Sequence, residues 1–125
     1  MTGHHRIRRG YVDLDHGQLH YRRAGASGAP VVVLLHQTPS TSAMYEPLML
    51  ALADRHDLIA FDTPGFGMSD ALPGAFSIAA AAQALAAATA RLHDGPCAWF
   101  GHHTGAALAL QVAHDQPQRV SRLAL

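Results

Sequence analysis

The chain has 125 residues, 49% hydrophobic and 14% charged, with nine arginines, no lysine and nine acidic residues. That profile suits one globular unit and excludes a disordered chain. Zero formal charge removes the basic excess that a nucleic-acid or acidic-membrane binder needs, and the lone Cys97 excludes a disulfide-stapled secreted scaffold.

Met1–Gly10 is polar and basic with no apolar stretch behind it, so it reads as a disordered N-terminus and not as a signal peptide. Tyr11–Asp15 and Gln18–Arg23 alternate apolar and polar around a His16-Gly17 turn, the pattern of an antiparallel hairpin. Ala24–Pro30 is a loop of turn residues. Val31–Leu35 is a continuous β-branched and leucine run, which predicts a strand buried on both faces of a parallel sheet. It is also the longest strongly apolar run, far short of the roughly 20 residues of a membrane helix. Met44–Ala53 carries Leu48 and Leu52 at helical spacing, with Ser42 as its cap. Leu58–Phe61 is a short strand closed by a turn cluster, and Ser77 caps a helix on which Ile78, Leu85 and Leu92 recur. The alanines between them are small helix formers that allow close approach to a sheet. Gly95-Pro96 stops that helix. Cys97–Phe100 is a strand, Ala106–Ala113 a helix and Val120–Leu125 a last strand. The order β-β-β-α-β-α-β-α-β predicts an α/β fold, a mostly parallel sheet with antiparallel N-terminal strands and helices on both faces.

Three loops then fall at the carboxyl ends of predicted strands, where open α/β sheets hold their ligands. They are His36-Gln37-Thr38-Pro39, Asp62-Thr63-Pro64-Gly65-Phe66-Gly67-Met68-Ser69-Asp70 and Gly101-His102-His103-Thr104-Gly105. Glycines two residues either side of His103 let a strand turn sharply into a helix and thrust the central side chain outward. Taken together, these loops and the strands between them resemble the α/β-hydrolase family from about Tyr11 to the last residue. The Asp62-x-Pro64-Gly65-x-Gly67-x-Ser69 loop is the most specific match.

The resemblance implies a truncated α/β-hydrolase fold, residues 11–125 forming a partial domain that ends at about the sixth strand. It implies a cytoplasmic hydrolase without cofactor, acting on a small ester, epoxide or related small-molecule substrate. It places His103 at the nucleophile-elbow position and the N–H groups of Thr38 and Thr104 at the oxyanion positions. His36, Asp62, Gly65, Gly67, Gly101 and Gly105 become loop-shaping residues, Asp62 by accepting N–H bonds from the Pro64–Gly67 turn. Two positions depart from the family pattern: its elbow residue is normally Ser, Asp or Cys, and its first loop normally has Gly where Gln37 stands. Imidazole, with an ordinary pKa of about 6.5, can act as a nucleophile or as a general base on water. His102 and His103 are expected to diverge from the turn, which with His36 leaves no zinc pattern, and Cys97 is expected to be inert in a buried strand.

The family's acid and catalytic histidine lie on loops after later strands. This chain by itself is therefore expected not to turn over esters, and a serine at position 103 not to restore turnover. A hydrolase seen in part and a non-catalytic α/β-hydrolase-like fragment both remain open at this point. The apolar Val120–Leu125 edge is expected to favour self-association.

Overall fold

A computed structural model describes residues 6–125. Six strands form one sheet in the order β1-β2-β4-β3-β5-β6. β1 (Arg8–Leu14) and β2 (Gly17–Gly25) make an antiparallel hairpin, and β2 also pairs antiparallel with β4 (Asp57–Phe61). β3 (Val31–Leu35), β5 (Cys97–Gly101) and β6 (Val120–Ala124) continue from β4 as a parallel sheet.

The pleat divides the central strands between two apolar layers. Val33, Leu35, Ile59, Phe61 and Trp99 face α2 (Ile78–Leu92) and α3 (Thr104–Asp115), which supply Leu85, Leu108 and Val112. Leu34, Leu58 and Ala60 face the other way, onto Tyr45 and Met49 of a 3-10 turn, Ser42–Tyr45, that runs into α1 (Glu46–Leu52). All five residues of β4 are buried, as a strand covered by helices requires. The alanines of α2 serve the close approach expected of them: Ala81, Ala82, Ala84, Ala86 and Ala88 are all buried. Ser77 accepts the Ala80 N–H and caps that helix.

Several expectations need correction. β1 begins at Arg8, inside the stretch read as disordered, because Arg8, Arg9 and Gly10 pair with Arg23, Arg22 and Tyr21. The rest of that expectation, for Met1–His5, lies outside the described residues. β2 runs on to Gly25 because Ala24 and Gly25 pair with Leu58 and Asp57, so the following loop is shorter than expected. Thr41 caps the 3-10 turn by accepting the Ala43 N–H, and α1 follows from Tyr45 with no side-chain cap. Ser42 is instead fully buried, bonded to Arg22 and Asp62. α1 turns Met49 inward and leaves Leu48 and Leu52 more than a third exposed. α3 begins at Thr104, where the sharp turn at His103 puts it, and extends the Ala106–Ala113 helix by two residues at each end.

Candidate functional site

All three loops singled out in the sequence lie at the carboxyl ends of β3, β4 and β5, and hydrogen bonds tie each to its neighbours. His36, directly after β3, is fully buried. The Thr63 N–H donates to its Nε2 over 3.0 Å, so Nδ1 carries the proton and donates to the Gln37 carbonyl at 2.6 Å. One imidazole thus joins the loop after β3 to the loop after β4. Burial holds its pKa below the ordinary histidine value, against the Gln37 hydrogen bond and the charge of Asp62.

Asp62 gathers more partners than the sequence suggested, and different ones. Its carboxylate accepts the Ser42 N–H at 2.7 Å and the Met68 N–H at 2.9 Å, and His20 Nδ1 lies 3.0 Å away. The expected amides of the Pro64–Gly67 turn are not the ones that reach it. Positive φ angles at Gly65 and Gly67 carry the chain round so that Met68 presents its amide to the carboxylate. A Cβ at Gly67 would run into the Asp62 carboxylate itself, so only glycine fits there. Burial alone would raise the carboxyl pKa, but the Met68 N–H, the Ser42 groups and the His20 imidazole outweigh it and hold it low. The loop is anchored to β2 as well. The His20 N–H donates to Ser69 Oγ at 2.9 Å, and the Gln18 N–H donates to Asp70 Oδ2 at 2.8 Å.

The third loop is a tight strand-to-helix turn. His103 has φ 54° and ψ −116° and is the one non-glycine residue with positive φ among the described residues. Thr104 opens α3, so its N–H is among the helix donors that no helical carbonyl accepts. Gly101 and Gly105 are there for close approach: a Cβ on the first would meet the Gly105 carbonyl, and one on the second the Leu35 carbonyl. His102 does not diverge from His103 as expected. The positive φ brings the His103 ring back, so that the two exposed imidazoles stand edge to face at 4.4 Å. Thr38 and Thr104 meet through their hydroxyls at 2.7 Å, which links the first loop to the start of α3.

Sequence reasoning missed His20, Arg22 and Glu46, and read Ser42 as a helix cap. Arg22 donates to Glu46 Oε2 at 2.8 Å and to Ser42 Oγ at 2.9 Å, which holds the Ser42 amide on Asp62. His20 alternates in the hairpin as an ordinary polar residue, and nothing local signals its burial. Cys97 is buried and its thiol is pushed up to about 11 by desolvation, which leaves little reactive thiolate.

A mostly parallel α/β sheet with a strained strand-to-helix turn beside two hydrogen-bonded loops defines a class of protein that works at its strand ends. Comparison with known proteins narrows the class. Residues 30–125 match the family model of the alpha/beta hydrolase fold. The 2-(acetamidomethylene)succinate hydrolase of Mesorhizobium japonicum is 32% identical over 109 residues, 87% of this chain and 38% of that protein. A solved structure of E-2-(acetamidomethylene)succinate hydrolase superposes with a TM-score of 0.87 at 30% identity, covering 94% of this chain and 43% of the other. A haloalkane dehalogenase loop variant from Bradyrhizobium elkanii does so with a TM-score of 0.85 at 28% identity, covering 94% and 39%. The chain belongs to the α/β-hydrolase family. It spans about two fifths of the length of these relatives. Among the described residues no helix is long and apolar enough to cross a membrane.

Proposed function

We propose that this chain is the part, residues 11–125, of an α/β-hydrolase domain that carries the nucleophile elbow, in an enzyme hydrolysing a small ester, epoxide or related substrate. The observation that carries the reading is the exposed His103 at φ 54° on the β5–α3 turn. An unprotonated ring nitrogen there can take a proton from water as the water oxygen attacks the substrate carbon, or can attack that carbon itself. The N–H groups of Thr38 and Thr104 would receive the negative charge that develops on the substrate oxygen. His36 and Asp62 position the loops and touch no substrate. The names of relatives, a succinate-derivative hydrolase and a dehalogenase among them, support small-molecule chemistry. One feature favours the second reading, a non-catalytic α/β-hydrolase-like protein: the elbow position holds His103 where the family normally has Ser, Asp or Cys.

Replacement of His103 in the full natural protein separates the two. Hydrolysis of 4-nitrophenyl acetate or styrene oxide is expected, falling roughly 100-fold or more in His103→Ala and little in His102→Ala. No turnover of either substrate, or turnover indifferent to His103→Ala, overturns the proposal. The 125-residue chain alone is expected to give no turnover, with or without His103→Ser, because serine needs a positioned base.

The same reading extends to association. Among the described residues β6 pairs with one strand, β5, and we infer that in this chain taken alone its outer backbone groups and the exposed Leu123 and Leu125 meet a second copy.

A further inference from the structure

The opposite end of the sheet carries a charge arrangement that the hydrolase reading does not use. Arg8 and Arg23 stand directly across from one another in the β1–β2 register. Arg6 lies two residues before Arg8, just ahead of β1, and lines the same cleft. These three side chains, with Tyr21, Ser27 and Asp57, line an open cleft of about 560 Å³. Like charges placed opposite in an antiparallel pair repel, and the cleft holds one carboxylate to offset three guanidiniums. That carboxylate is already engaged. Arg23 grips both oxygens of Asp57, Nε to Oδ1 at 3.0 Å and Nη2 to Oδ2 at 2.8 Å, and gives a third bond to the Leu92 carbonyl at 3.2 Å. Arg6 and Arg8 have no side-chain partner among the described residues, and both are exposed.

We propose that the cleft between Arg6, Arg8 and Arg23 binds a small dianionic oxyanion group, a phosphate or a dicarboxylate. Two unpaired guanidiniums present planar forks of donors that match such oxygens two at a time. Arg23, held by Asp57 and the Leu92 carbonyl, lines the same cleft, as do Tyr21 and Ser27. Asp57 opens β4 and Asp62 follows its end, so the site lies roughly 16 Å along the strand from the loops around His103. The ligand is therefore not the hydrolysed substrate.

Calorimetric titration of the chain with inorganic phosphate and, separately, with succinate at constant ionic strength tests this. At least one of the two is expected to bind saturably. The affinity should fall tenfold or more in Arg8→Gln and in Arg6→Gln, less in Arg8→Lys, and not at all in Arg122→Gln on β6. Phosphate binding alone identifies a phosphate site and succinate binding alone a dicarboxylate site. Failure of both to saturate, a chloride control that gives the same heats, or Gln variants of unchanged melting temperature and unchanged affinity would overturn the proposal.

Discussion

At the scale of single residues, the turn at His103 depends on what its neighbours lack. Gly105 packs against the Leu35 carbonyl so closely that a methyl group has no room. Backbone on both sides must move to admit one. Gly105→Ala is expected to cost about 2–3 kcal/mol, in the upper part of the range for overpacking, as read from urea denaturation. His36 and Asp62 make the same loops sensitive to acid. The His36 pKa is lowered in the folded chain, so the unfolded chain takes up a proton first, near pH 6.5, and stability falls as pH drops through that value. The Asp62 pKa is also lowered, so a second loss follows below about pH 4, where the unfolded carboxyl protonates. Urea midpoints measured from pH 8 to pH 3 should show both steps. The first should be absent in His36→Asn, while the second persists.

Between elements, two arginine pairs look alike on paper and differ in weight. Arg23 and Asp57 join β2 to β4 by a two-pronged contact in which Asp57 is 10% exposed. Arg22 reaches Glu46 across to α1, but Glu46 is 41% exposed. Removal of one partner from a buried pair leaves a stranded charge, whereas exposed pairs contribute at most about 1 kcal/mol. Asp57→Ala is expected to cost about 2–3 kcal/mol, below the full figure for buried pairs because Arg23 stays 30% exposed. Glu46→Ala should cost under about 1 kcal/mol, and parallel thermal melts decide between these outcomes. These pairs also mark where sequence reading stops. β3 was legible because Val31–Leu35 is apolar on both faces, and the His103 turn because its glycines sit in local sequence. Arg23 and Asp57 are 34 residues apart, and His20 and Asp62 are 42 apart, so no local pattern announces them. β1 was placed too late for a similar reason. An Arg-Arg-Gly start has no alternation to read, and its strand character comes from pairing with β2.

For the molecule as a whole, the sheet runs from a charged end strand to an apolar one. β1 presents Arg6, Arg8 and Arg9 around its start, while β6 carries Leu123 and Ala124 with Arg122 as its charge, and Leu125 follows it. Charged edges resist pairing and apolar ones invite it, and zero net charge offers little repulsion between copies. Sedimentation at micromolar concentration should therefore show self-association that Leu123→Lys suppresses; a monomer throughout would refute association through β6. The carboxylate of Asp62 has a consequence in time as well as in space. Its partners lie 42, 20 and 6 residues away along the chain, so it stays unsatisfied until the hairpin, the Ser42 turn and its own loop have all arrived. Closing such long loops costs chain entropy before the contact forms, and these contacts are expected to form after the transition state for folding. Asp62→Asn should leave the refolding rate nearly unchanged and speed unfolding, which makes the loops beside His103 the last region to set and the first to open.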